Sequence, residues 1–390
     1  MQTYAAGATQ VTATLSLEGD LPNDAAMAAL QQVHDRHEIL QQRLTEDEDG
    51  WVFEGPVPFT EVLLETTEPD DGETDDVTSI SSAIDDRLPL EGPLYRCSYT
   101  APTASRGGRL TVTGQHAVLD GDSILAFCRQ FVAATASRLP SGTLAMPDPI
   151  EVALGPGVVT APKAPVPLMA PVADRVAATE RSTGVAAWEL DEARTAMLHD
   201  RSHEERTTVG AVLATALARA ARTRLGAEHP TVSVPEDLRH RTTPPRSDEV
   251  IGLSIATPTF QPSDGGIWPA ARALHDDLTA APVPRSGAVP VADVIAGIRQ
   301  TADASIAGVS TVAMSNLGVA DFSVAGGPVE VTSFRLLTCM RWGACALLLE
   351  ASTVNGRMMG SFGWCRPLVG DATARAMIDE VEATIEEAMS

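Results

Sequence analysis

Between Leu139 and Pro171 the chain carries eight prolines, at positions 140, 147, 149, 156, 162, 165, 167 and 171, among Gly, Ala and Val. Proline fixes φ and has no amide hydrogen, so such a run cannot hold a helix and makes a poor strand. It divides the sequence into residues 1–140, a linker over 141–182, and residues 183–390. The linker is more apolar than a disordered tether and is expected to lie extended against the surface. At 390 residues, 44% of them hydrophobic, the chain has enough material for two domains with their own cores.

Both halves mix strand and helix signals. Before the linker, Val11 to Leu17 alternates as a strand, and a helix capped by Asn23 carries Met27, Leu30, Val33 and His37 on its apolar stripe. Trp51 to Phe53 reads as a short strand, Glu65 to Asp76 as an acidic loop, and Val77 to Arg87 as a helix. Leu94 to Tyr99 and Arg109 to Thr113 read as neighbouring strands joined by a tip at Ser105 to Gly108. After the linker come a strand from Val185 to Leu190, a short helix capped by Asp191, and a helix capped by Thr207 or Thr208. A strand then starts at Thr231, and helices cover Trp268 to Thr279 and Val291 towards Ala307. Strands at Ala344 to Ser352 and Met358 to Trp364 are joined by the Asn355-Gly356 turn, and a helix from Thr373 to Met389 closes the chain.

The stretch Thr111 to Phe127, TVTGQHAVLDGDSILAF, holds the residues with a chemical reading. An alternating strand, Leu110 and Val112 inward with Thr111 and Thr113 outward, runs into a polar loop and then into a helix. The apolar face of that helix is Ile124, Leu125, Phe127, Cys128, Phe131 and Val132. The loop carries His116, Asp120 and Gly121 in the spacing H-x-x-x-D-G. An imidazole is the side chain whose unperturbed pKa, about 6.5, lets it take and return a proton near neutrality. Asp120 is too close in sequence to orient that ring from behind and is expected to anchor the loop. Gly121 supplies either a positive φ or a wall without a Cβ. A single histidine after a strand is also a common structural feature, and D-G is a common turn.

Other classes are excluded by charge and spacing. A net charge of −24 argues against a nucleic-acid partner. No apolar run approaches the length of a membrane span and the N-terminus has no signal-peptide pattern, so the expectation is a soluble, cytoplasmic protein without a membrane partner. The five cysteines, 97, 128, 339, 345 and 365, lack C-x-x-C spacing and read as core residues. His34 and His37 share a helix face without H-E-x-x-H order, and His199 and His203 lie at a solvated helix end, so no metal site is expected. Lys163 is the only lysine, which leaves any anionic partner to arginines or helix N-termini.

Five stretches together resemble the superfamily of condensation domains and CoA-dependent acyltransferases, whose motif reads H-H-x-x-x-D-G. They are Arg36-His37-Glu38 with Leu40, Pro93-Leu94 with Arg96, His116 with Asp120-Gly121, Asp237-Leu238-Arg239, and Ser315-Asn316-Leu317-Gly318. Their order matches and they span nearly the whole chain, with the polyketide-associated acyltransferases and stand-alone condensation domains as the similar branches. Gln115 replaces the first histidine of the motif. The resemblance implies an α/β fold of two chloramphenicol-acetyltransferase-like subdomains in a V-shaped pseudo-dimer with a central channel. It further implies that Arg239 is ion-paired with Asp120 and that Gln115, Ser315 and Asn316 lie near the channel, the last two able to bond an oxyanion.

The chemistry implied is direct acyl transfer: His116 removes a proton from a hydroxyl or amine acceptor, which attacks a thioester. No bound cofactor is expected. The co-substrate is a CoA or phosphopantetheine thioester, the latter on an acyl or peptidyl carrier protein, and the acceptor a small natural-product intermediate. No G-x-S-x-G elbow or paired Cys/His motif offers a covalent nucleophile. With Gln115 in the motif, two alternatives stay open: a related reaction such as cyclisation of a bound intermediate, and a non-catalytic docking module for a carrier protein.

Overall fold

A computed structural model describes residues 10–47, 50–64, 75–89, 92–103, 107–116, 118–148, 150–154, 180–280, 311–341, 343 and 345–390. Most of the proline-rich linker, the acidic loop at 65–74, the hairpin tip at 104–106 and the helix expected from Val291 fall outside these residues. In chain order the elements are β1 (Gln10–Gly19), α1 (Asn23–Arg36), β2 (Arg43–Asp47), β3 (Gly50–Glu54), α2 (Asp76–Ile84), β4 (Tyr95–Thr100), β5 (Gly108–Gln115) and α3 (Gly121–Thr135). There follow β6 (Ser182–Leu190), α4 (Glu192–Glu204), α5 (Val209–Leu225), β7 (Val232–Ser233), β8 (Glu236–Asp237), β9 (Ile255–Ala256), β10 (Thr259–Phe260) and α6 (Ile267–Ala280). The chain ends with β11 (Val312–Val319), β12 (Val329–Thr338), β13 (Leu347–Val354), β14 (Arg357–Arg366) and α7 (Asp371–Met389).

Two compact units result, and the first cut between them, after Ala153, falls within the proline-rich stretch. The first is Met1–Ala153 with Leu238–Ser254 and Val319–Cys339; the second is Leu154–Asp237, Ile255–Gly318 and Met340–Ser390. Two segments from beyond the linker therefore belong to the first unit. Hydrogen bonding is the reason: β12 pairs along the whole of β1, Leu15 opposite Phe334 and Ala13 opposite Leu336.

The first unit is built on an antiparallel sheet in the order β12-β1-β5-β4. Side chains alternate across a sheet, so Leu15, Leu110 and Tyr99 share one face, as do Ala13, Val112 and Cys97. Helices α1 and α3 cover that face: Tyr95 meets the Phe127 ring edge-on at 5.5 Å, Tyr99 lies 6.3 Å from Phe131, and His34 lies 6.0 Å from Tyr95. The opposite face is polar, with Thr12 and Thr113 hydroxyls 3.0 Å apart. Thr113, expected to point to solvent, is 1% exposed because α2 crosses this face. Asp76 at the start of α2 accepts from Ser16 at 2.6 Å and Arg109 at 3.1 Å, and at its end the Ile84 carbonyl accepts from Gln10 Nε2 at 2.6 Å.

The second unit has a six-stranded sheet in the order β10-β7-β11-β13-β14-β6. Helices α5, α6 and α7 share its core, where Val212, Leu217, Met377, Ile378, Val381 and Phe362 are all closed to solvent. The alanines of α5 leave room for that close approach, and Thr208 caps the helix by accepting from the Ala211 amide. Asp191 caps α4 in the same way. The β13–β14 hairpin turns at Asn355 and Gly356, with φ of 48° and 77°, the left-handed conformation that an Asn-Gly turn supplies. Close approach also decides Gly184 in β6: a Cβ there would fall 2.1 Å from the Trp364 indole.

Some boundaries differ from the sequence reading. Asn23 is the first residue of α1 and Pro22 occupies the cap position, with no side-chain cap hydrogen bond. The short strand expected at Trp51 to Phe53 is β3, and Arg43 to Asp47 add a partner strand, β2. Ser315 to Gly318 lies inside β11, and Ile150–Ala153 makes one helical turn within the proline-rich stretch.

Candidate active site

Strand β5 ends at Gln115 and α3 begins at Gly121, so His116 stands on a tight connection between them. The connection is closed on the Gln115 carbonyl, which accepts from the amides of Val118 at 3.1 Å and Leu119 at 3.0 Å. Leu119 and Ile124 side chains fill the space above Gly114, where a Cβ would fall 2.6 Å from Leu119 Cδ1. The half-buried His116 places Nδ1 2.9 Å from the Leu119 carbonyl oxygen. A carbonyl only accepts, so Nδ1 carries the hydrogen and Nε2 keeps its lone pair. Burial pushes the His116 pKa below its ordinary value, and the Leu119 hydrogen bond and the nearby Asp120 charge oppose that shift in part. The ring is therefore a neutral base at neutral pH.

Asp120 does not face the ring as an orienting partner. It is the N-cap of α3, wholly buried, and its Oδ1 accepts from the Ser123 amide at 2.8 Å and the Ser123 hydroxyl at 2.7 Å. Arg239, 1% exposed, brings Nη2 to 2.7 Å from the same oxygen. Oδ2 accepts from the Ser254 amide at 2.7 Å. Both carboxylate oxygens are thus engaged, by a buried guanidinium, a hydroxyl and two main-chain amides between them, which is what a buried charge requires.

Segment 238–254 supplies most of these partners. Arg239 Nη2 also donates to the Gly252 carbonyl at 3.0 Å, and the Gly252 amide donates to Ser123 Oγ at 2.9 Å. Arg246 returns to the same place, its amide donating to the Arg239 carbonyl and Nη1 to Ser254 Oγ, each at 3.0 Å. Ser123, Gly252 and Ser254 were not singled out in the sequence. For Ser123 the only local signal is its place three residues after Asp120, a good N-cap residue whose carboxylate meets the amide at that position. Nothing local in the sequence marks Gly252 or Ser254, which meet the Asp120 cluster through their main-chain groups, Ser254 adding its hydroxyl as acceptor for Arg246.

The remaining predicted residues fall into place differently. Gly121 is the first residue of α3 and does not have a positive φ, so of its two readings the left-handed turn is removed. Gln115 is 2% exposed and its Nε2 makes no hydrogen bond among the described residues. Ser315 and Asn316 belong to β11 of the second unit, and Asn316 Oδ1 accepts from the Gly318 amide at 3.0 Å. The histidines of α1 are engaged separately: His34 lies between the Tyr95 hydroxyl and the Val57 carbonyl, each 2.9 Å away, and His37 Nε2 is 2.8 Å from Gln130 Oε1. Among the described residues no group of three or more His, Cys, Asp or Glu could hold a metal ion. No helix among them is long and apolar enough to cross a membrane.

Comparison with known proteins gives this arrangement a context. Residues 179–362 match the family model of the phthiocerol/phthiodiolone dimycocerosyl transferase C-terminus. Comparison with the curated proteins found no match. Among solved structures, polyketide synthase associated protein 5 from Mycobacterium tuberculosis is similar over 100% of this chain and 96% of that one, at 14% identity and a TM-score of 0.63. The first condensation domain of the calcium-dependent antibiotic synthetase, in complex with substrate analogue 2a, is similar over 98% of this chain and 92% of that one, at 16% identity and a TM-score of 0.67.

The chain shares its fold with a condensation domain. The same fold is shared by the epimerization domain from the third module of tyrocidine synthetase B, at 14% identity and a TM-score of 0.65 over 99% of this chain and 93% of that one. Within this fold the described site is the connection from β5 to α3: an imidazole whose Nε2 meets no hydrogen-bond partner among the described residues, on a loop pinned by a buried carboxylate and arginine.

Proposed function

We propose that the chain is an acyltransferase of natural-product biosynthesis, moving an acyl group from a CoA or carrier-protein thioester to a hydroxyl or amine acceptor. The observation that carries this reading is the state of His116: Nδ1–H held by the Leu119 carbonyl, Nε2 unprotonated, on a loop whose anchor is buried. In the proposed reaction Nε2 takes the proton of the acceptor as its oxygen or nitrogen bonds to the thioester carbonyl carbon. The tetrahedral intermediate then collapses with cleavage of the carbon–sulfur bond, and Nε2–H returns the proton to the departing thiolate. The match to a transferase family model and the fold shared with a condensation domain support the assignment of the reaction class. The small acceptor, the thioester donor and a carrier-protein partner are part of this proposal.

A second reading is favoured by Gln115 and by the fold shared with an epimerization domain. In it the same base removes a proton from a bound intermediate in a different reaction, such as cyclisation. One experiment separates the two: thiol release and intact mass with a panel of acyl-CoAs and acyl-carrier thioesters, with and without hydroxyl and amine acceptors, on the protein and on His116→Ala. Acceptor-dependent thiol release that disappears in the variant supports acyl transfer. Thioester binding without thiol release across the panel overturns it in favour of the second reading.

A further inference from the structure

Arg36, His37 and Glu38 stand out in the sequence but take no part in the chemistry above. In the first unit they meet segment 238–254, the same segment that carries Arg239. The Arg36 side chain, 7% exposed, places Nη2 2.9 Å from Glu249 Oε2 and donates through Nη1 to the carbonyls of Pro140 at 2.7 Å and Gly142 at 3.2 Å. His37 is buried at the end of α1 with Nε2 2.8 Å from Gln130 Oε1. An amide oxygen only accepts, so His37 donates, and this turns the Gln130 NH₂ group the other way. There it donates to the Glu249 carbonyl at 3.1 Å.

Gln130 belongs to α3, ten positions beyond the Asp120 that caps it, about 15 Å along the helix axis. Segment 238–254 therefore grips α3 twice, at its N-cap through Arg239 and Ser254 and near its middle through Glu249. Apolar packing of Phe127 and Phe131 seats α3 on the sheet but is non-directional, and the two polar grips fix its roll and axial position, so that the connection leading into it keeps one orientation.

We propose that Gln130, set by His37, is a positioning residue for His116. It locks α3 against segment 238–254, so that the 116–120 connection presents Nε2 in a single direction. It touches neither ring nor substrate, and acts through the helix. The inference rests on His116 being the base of the reaction proposed above, and its test includes a measurement independent of that reaction.

In the full-length protein, Gln130→Met keeps length and burial but removes both hydrogen bonds, while Gln130→Glu keeps an acceptor for His37 and loses the N–H for Glu249. Both are assayed at a temperature at which circular dichroism shows them folded. The expected result is a fall in kcat of about 10- to 100-fold with KM little changed, the signature of misplacement rather than lost binding. In ¹⁵N NMR the His116 ring should lose its single Nδ1–H pattern in Gln130→Met. Wild-type kcat and an unchanged ring spectrum in both variants would overturn the proposal. If the parent protein shows no acyl transfer, the proposed function fails on its own, and an unaltered His116 spectrum in the variants still decides against Gln130.

Discussion

Arg239 and Asp120 stand 119 positions apart in the chain and meet with Nη2 2.7 Å from Oδ1, both closed to solvent. Taking both charges out of water offsets most of their attraction, so the pair does more for geometry than for stability. Removing one partner is a different matter. Arg239→Ala leaves a buried carboxylate without its cation and is expected to cost about 3–5 kcal/mol. Urea midpoints of Arg239→Ala, Asp120→Ala and the double variant check this. The double variant should be less destabilised than the sum of the two, and simple additivity would show the pair to be energetically uncoupled.

The reaction itself should depend on His116 far more than the fold does. General base catalysis contributes about 10²–10⁴-fold, equivalent to roughly 3–5 kcal/mol of barrier. His116→Ala is expected to lose that factor in kcat while its urea midpoint moves little, since the half-buried ring is held to the main chain by its Leu119 hydrogen bond rather than by core packing. Steady-state kinetics beside denaturation checks it, and full turnover in the variant would remove His116 from the mechanism.

Acid should weaken activity and stability together. Burial lowers the His116 pKa, so the rate is expected to rise with pH through a midpoint below 6.5 and to be flat at neutrality. His34 and His37 are likewise held below 6.5, first by desolvation. Above 6.5 folded and unfolded chains both carry neutral rings. As pH falls below 6.5 the unfolded chain binds protons that the folded chain refuses, so stability present above the unfolded pKa is lost on the way down to the folded values. The urea midpoint measured from pH 7 to pH 5 should therefore fall, and a flat or rising profile contradicts the neutral burial of these rings.

Gly184 offers a test of the second unit. Its missing Cβ leaves space for the Trp364 indole, which cannot withdraw freely because Nε1 donates to Asp371 at 2.9 Å. Gly184→Ala is expected to lower stability by about 1–3 kcal/mol, the usual cost of overpacking. Thermal unfolding of this variant, alone and combined with Trp364→Phe, checks it: the smaller ring should recover part of the loss.

Local signals account for what the sequence made legible. The alternation in β5, the apolar stripe of α3, the caps at Asp191 and Thr208 and the Asn355-Gly356 turn each act within a few residues, so each could be read from composition and spacing. His116 and Asp120 were legible for the same reason. The Arg239 pairing was reached only through the family resemblance, because nothing local says which carboxylate a distant arginine will meet. Strand β12 was missed although its pattern, VEVTSFRLLT, is apolar and β-branched. Its partner is β1 at the other end of the chain, and periodicity carries no information about partners. Thr113 was assigned to solvent because alternation reports one covered face, whereas α2 covers the second with polar contacts.

The pairing of β1 with β12 also sets an order of events during synthesis. Until residues 329–338 have left the ribosome, β1 has β5 on one side and an open row of amides and carbonyls on the other, a template for a second nascent chain. The first unit cannot close its sheet before β12 is made, and its folding waits on loop closure across all the residues between β1 and β12. A fragment ending at the proline-rich stretch would keep the imidazole-bearing loop yet lack the strand that seals β1 and the arginine that neutralises Asp120. Splitting this chain at its most obvious sequence boundary is thus the wrong way to obtain either unit in isolation.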